Sequence, residues 1–246
     1  MSFKKLHAFI GLVLLMLMHA AFAAHPLVSD DTSTQDAGNQ QFEANTDWYT
    51  KQGVSSHVAD FTYSYGALPN LDVFADLPLT ASSPRGINDG ALGLKWRYYE
   101  RGATSFAIKP AIVVATGNQN RALGTGRTGA AVTLIGTYDA SSWLLVGDVG
   151  MDMKRYALSA DRQSNRGNLW RASVAVTYIV NAQWRVVTDI GIARNPDVNS
   201  SINPAFLVAG VVYSSGKDVD LDVGLRFGLN RAEVSHQAGA GVTLHF

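Results

Sequence analysis

Two of the histidines beyond residue 23 follow serine, in Ser55-Ser56-His57 and Ser235-His236. Serine catalysis needs an imidazole within hydrogen-bond reach of the hydroxyl and a third group to orient it. Adjacency in sequence supplies neither. If the first and last strands of a closed sheet were neighbours, however, His57 and His236 would meet at one rim, which is the rim-histidine hydrolase reading. Against it, the chain has no Gly-x-Ser-x-Gly, no His-Glu-x-x-His and no phosphate-cradling Gly-x-x-x-x-Gly-Lys. The carboxylate pairs Asp30-Asp31 and Asp220/Asp222 are of a type that does acid-base work or holds Ca²⁺, yet turn chemistry and a polar face account for them more simply. Without a single cysteine there is no disulfide, thiol nucleophile or thiolate metal site. The expectation is a non-enzyme with no cofactor and no metal.

The charges fall on alternate residues of recurring segments about ten residues long. Val219, Leu221, Val223, Leu225, Phe227 and Leu229 interleave with Asp220, Asp222, Gly224, Arg226 and Gly228. The chain closes the same way, with Ala240, Val242, Leu244 and Phe246 against Gly239, Gly241, Thr243 and His245. Period-two alternation with one apolar and one polar face is the pattern of a membrane-spanning β-strand. Such segments are expected at 40–49, 56–65, 70–79, 91–99, 104–115, 129–138, 143–153, 168–179, 183–193, 205–214, 218–229 and 237–246. The fold class is therefore all-β, an antiparallel transmembrane β-barrel of 12 strands. A soluble sandwich would alternate too. The aromatics favour the barrel: Trp48, Tyr65, Trp96, Tyr98, Tyr138, Trp143, Trp170, Tyr178, Trp184, Tyr213 and Phe246 sit on apolar faces near strand ends, as two interfacial girdles require.

Short connections alternate with long ones, so the short turns and both termini are expected on the periplasmic side of a bacterial outer membrane. Lys4-Lys5, the 13-residue apolar run Leu6 to Met18 and Ala21-Phe22-Ala23 read as a secretory signal peptide over 1–23. That run is too short for a spanning helix, which needs about 20 apolar residues. Cleavage removes two of 20 Lys and Arg against 20 Asp and Glu, leaving a charge near −2 with no electrostatic grip on nucleic acid. The expected partners are the lipid bilayer and lipopolysaccharide, a small-molecule solute, and the outer-membrane assembly machinery through Phe246. Residues 24–40 lack alternation and read as an N-terminal periplasmic segment or a partial plug, with Asp30-Asp31 meeting inward Lys or Arg; 41–246 form the barrel.

Function then rests with the inward face. The pore-lining candidates are Asp72, Asp76, Lys95, Arg97, Lys109, Asp148, Asp152, Arg171, Arg185, Asp189, Asp220, Asp222 and Arg226, preceded by Glu43, Asp47 and Asp60. Acidic and basic strands are neighbours, and cross-strand pairs are worth about 0.2–1 kcal/mol each relative to alanines. These charges either line a narrow polar pore that selects solutes or pair off and seal the barrel. Twelve strands lie between the eight or so that side chains fill and the 16–18 of a wide channel. A structural or adhesion barrel without flux is the remaining class.

His25-Pro26-Leu27, Asp30-Asp31-Thr32, Thr34-Gln35 and Gly38-Asn39, followed by Gln41, Phe42 and Glu43, resemble the start of the outer-membrane proteins labelled for a meta-pathway of phenol degradation. Ser33 and Asp36 stand where that pattern has glycine, and Phe42 where it has leucine. The resemblance implies a barrel that passes aromatic or other hydrophobic compounds. Tyr49, Phe74 and Tyr99, read as inward, then offer stacking surface to an aromatic ring.

Overall fold

A computed structural model describes residues 25–51 and 53–246; the signal-peptide reading falls on residues outside that range. The sheet strands are β1 Gln40–Lys51, β2 Val54–Leu68, β3 Leu71–Thr80, β4 Gly86–Ile87, β5 Gly90–Arg101, β6 Thr104–Val114, β7 Gly129–Ala140, β8 Trp143–Met153, β9 Asn168–Ile179, β10 Trp184–Ala193, β11 Ala205–Ser214, β12 Val219–Gly228 and β13 His236–His245. Leaving aside the two-residue β4, each strand pairs antiparallel with both neighbours, and β1–β13 closes the ring. The result is a closed antiparallel barrel of twelve spanning strands. Its seam is sealed by Gln40 N to Phe246 O (3.1 Å) and Phe246 N to Gln40 O (2.9 Å). Closure leaves no unpaired edge, the condition for sheet to exist in hydrocarbon.

The two faces follow from the alternation. Outward residues carry the apolar surface: Ile112 is 58 % exposed, Val149 60 % and Val223 53 %. Inward positions are polar and buried, among them Asp72, Lys95, Thr133, Asp148, Asp189, Asp222 and Thr243. A protein with this division belongs in the outer membrane, its apolar belt taking the place of a conventional core. What apolar core exists lies inside the barrel, where Ala107, Ile135, Leu144, Val146 and Ala175 pack around Leu27.

Several expectations need correction. The connection anticipated over Thr50 to Ser55 is a two-residue hairpin, because Lys51 still pairs with Val54. The connection between the strands expected at 70–79 and 91–99 contains β4, which pairs with the end of β3. The rings do not make two equal girdles: Tyr65, Trp96, Tyr98, Tyr138, Trp143, Tyr178, Trp184, Tyr213 and Phe246 all lie at the short-turn rim, leaving Trp48 and Trp170 at the other. At the short-turn rim they cluster in pairs, such as Trp143–Tyr178 at 4.5 Å and Trp184–Tyr213 at 4.8 Å between centroids. Tyr99 is not inward. A register shift between Arg97 and Tyr99 pairs Tyr99 with Phe106, and their rings lie 5.8 Å apart on the lipid face. A β-bulge swings side chains to the other face from that point on.

Candidate functional site

The site is the lumen and the stretch of chain that crosses it. Residues 25–39 run around the inside of the barrel and meet a residue of each spanning strand in turn. His25 is bonded through Nδ1 to the Asp222 carboxylate on β12 and lies with Nε2 3.6 Å from Asp47 on β1. Pro26 packs over Gly210 and Gly224, where any Cβ would collide with its ring. On β10, Asp189 accepts from the backbone nitrogens of Val28 (2.8 Å) and Ser29 (2.7 Å), and Ser29 Oγ donates to Ser173 Oγ on β9 at 2.8 Å. Asp148 on β8 accepts from Asp30 N (2.8 Å), Thr137 Oγ1 on β7 from Thr32 N (3.1 Å), and Asp72 Oδ1 on β3 from Gln35 N (3.0 Å). The segment leaves at the short-turn rim, with Gly38 N on Gly66 O of β2.

The electrostatic centre is Asp30. Its two oxygens take Lys95 Nζ at 2.8 Å from β5 and Lys109 Nζ at 2.7 Å from β6, while Asp31 lies 3.7 Å from Lys95. Burial works against a charged Asp30, but Lys109 and Lys95 overcome it and hold the carboxyl well below its usual range. His25 shows the converse: burial opposes its charge, yet hydrogen bonds and charge attraction from Asp222 and Asp47 lift it to about 9. The segment is thus anchored by an imidazolium at one end and a carboxylate in its middle.

Between the segment and the β1–β3 wall remains a cavity of about 300 Å³. Its lining reaches from Gln41, second in β1, to Gln237, second in β13, and those positions lie near opposite rims. Glu43, Asn45, Asp47, Asp60, Thr62 and Phe74 line it from the β1–β3 wall, and Lys95, Lys109 and the segment complete the lining. Lys109 Nζ sits 4.7 Å from the Phe74 ring centroid. Asn45 Oδ1 and Asp60 Oδ1 are buried without a hydrogen-bond partner among the described residues, and such acceptors are costly to leave unmet. Above the cavity, Asp76 and Asp152 line a second hollow of about 450 Å³ at the mouth, together with Asp89 and Lys154.

Of the pore-lining candidates, Asp72, Lys95, Lys109 and Arg226 border the cavity and Asp76 and Asp152 the mouth. Asp148, Asp189 and Asp222 are bonded to the segment. Arg171 pairs with Asp152 at 2.8 Å, Arg185 with Asp220 at 3.0 Å, and Arg97 with Glu100 at 3.0 Å. Phe74 borders the cavity; Tyr49 lines a rim groove instead, with Trp48 and His57. His57 and His236 do share that groove. The His57 Nε2, however, is held by Thr46 Oγ1 at 2.7 Å and its ring is stacked on Trp48 at 4.7 Å. Sequence reasoning missed His25 as an anchor. The available signal was the glycines at inward positions of β11 to β13, which leave room for something to pass.

The family model described as "Putative MetA-pathway of phenol degradation" matches residues 23–246. Among solved structures, the NanC porin is similar at 11% identity, covering 82% of this chain and 98% of its own, with a TM-score of 0.64. An outer-membrane channel from Pseudomonas putida F1 is similar at 14% identity, 88% and 98% coverage and a TM-score of 0.63. The KdgM porin follows at 9% identity, 84% and 99% coverage and a TM-score of 0.61. No curated protein matches the sequence.

Proposed function

The chain belongs to that phenol-degradation family, and from this premise we propose that it is an outer-membrane channel for small aromatic compounds, narrowed by its own N-terminal segment. The observation that supports the reading is the polar cavity of about 300 Å³ left between the segment and the wall. A barrel built only to fill itself has no need of such a cavity. The lining suits a phenol-like solute: Phe74 offers a ring face, while Asn45 Oδ1 and Asp60 Oδ1 offer acceptors to a hydroxyl. Residues 25–39 act as the partial plug, with Asp30, Lys95 and Lys109 fixing its middle.

A sealed barrel is the second reading, and the density of bonds between segment and wall favours it. Conductance of the refolded protein in a planar bilayer separates the two. The channel reading expects small steady currents that millimolar phenol reduces. Silence at every voltage supports the sealed barrel, and currents that phenol leaves unchanged remove the aromatic assignment. For the rim histidines, phospholipid turnover abolished by His57→Ala and His236→Ala would revive the enzyme reading.

A further inference from the structure

The outer surface over β8 to β11 contains a hollow of about 500 Å³ that opens to the lipid and is lined by Val149, Ala172, Val174, Ile190, Ile192 and Ala205. Ile192 and Ala205 lie at the long-loop ends of their strands and Val174 near mid-strand, so the hollow reaches from the middle of the barrel wall into the outer-leaflet half. Directly above it the charge changes. The connections on that side (52–53, 81–89, 115–128, 154–167, 194–204 and 229–235) carry nine Lys or Arg against four Asp or Glu, whereas the rest of the chain after residue 24 carries nine against sixteen. Among the described residues none of those nine loop cations is ion-paired. Seven of the nine belong to the three connections that cap β6 to β11.

Those connections form a fixed platform. Arg166 donates to the carbonyls of Asn195 (2.8 Å) and Val198 (2.9 Å), tying 154–167 to 194–204, and Ala157 N bonds Thr125 O at 2.8 Å. Arg194 follows directly on β10, two residues beyond Ile192 of the hollow, and donates through Nη1 to Asn168 O at 3.2 Å, which lays its guanidinium by the start of β9 on the loop side of Trp170. Two residues beyond β8, exposed Arg155 continues the outward series Val149, Met151, Met153. The rings that would anchor an ordinary phospholipid interface are concentrated at the opposite rim.

We infer that this surface is a binding site for a phosphorylated glycolipid of the outer leaflet, with one acyl chain seated in the hollow and a phosphate held by Arg194 and Arg155. An apolar slot beneath unpaired cations complements an anionic amphiphile, and guanidinium matches phosphate geometry. The full-length barrel, refolded in neutral detergent, is to be titrated by native mass spectrometry with bisphosphorylated lipid A, its dephosphorylated form, phosphatidylglycerol and inorganic phosphate. Lipid A is expected to bind at least tenfold more tightly than the other three. Arg194→Glu and Ala172→Trp should each weaken it about fivefold or more while the barrel keeps its heat-modifiable gel mobility, with Arg155→Glu as the variant that touches only a loop. Equal retention of phosphatidylglycerol, or wild-type affinity in Arg194→Glu, Arg155→Glu and folded Ala172→Trp, would overturn the site. Phosphate binding that ignores Ala172→Trp would show an anion patch without an acyl slot and overturn it equally.

Discussion

At the level of single residues, Asp30 ties the middle of the segment to the barrel wall. It is the shared partner of Lys95 and Lys109, and removing one member of a buried ionic cluster leaves uncompensated charge at a cost of roughly 3–5 kcal/mol. Asp30→Asn should therefore release the middle of the segment without unfolding the barrel. The expected readouts are higher single-channel conductance and faster proteolysis within residues 25–39. His25 gives the same anchor a pH dependence. Its value is raised from 6.5 to about 9 by the bonded state. The stabilisation is thus complete below about 6.5 and lost as pH climbs through about 9. Current should rise between pH 8 and 10, and His25→Ala should show the higher current at every pH. A flat wild-type profile over that range would deny His25 this role.

Strands show why so much of the fold was legible and why the site was less so. β8, β9 and β11 lie where alternation placed them, because a strand between lipid and a polar lumen must alternate at every residue. Tyr99 escaped because one bulge residue inverts the period, and nothing in Trp96-Arg97-Tyr98-Tyr99 marks the insertion. The segment at 25–39 has no period at all, so its course is set by tertiary partners that sequence cannot pair. The contrast between faces is testable on β12. Val223 faces lipid in mid-strand, and Val223→Arg should cost about 2–4 kcal/mol, read from urea unfolding in vesicles. Gly224 faces Pro26, so Gly224→Ala should leave unfolding nearly unchanged and raise conductance by displacing the segment. A register off by one would exchange the two results. At the seam, deletion of Phe246 removes the last rung with Gln40 and one ring of the short-turn girdle. Assembly into the outer membrane should fall well below that of His245→Ala.

On the scale of the whole molecule, the chain separates three environments that its near-zero net charge conceals. Basic loops face outward, an apolar belt faces lipid, and the interior holds most of the carboxylates. Many of those carboxylates are turned onto the N-terminal segment, so the barrel wall and the segment together define the passage. The most direct test compares bilayer conductance of the full chain with that of a variant lacking residues 26–36. The account predicts small, phenol-sensitive currents from the full chain and a conductance several-fold larger, with weaker phenol block, once the segment is gone. Identical currents, or silence from both proteins, would contradict it.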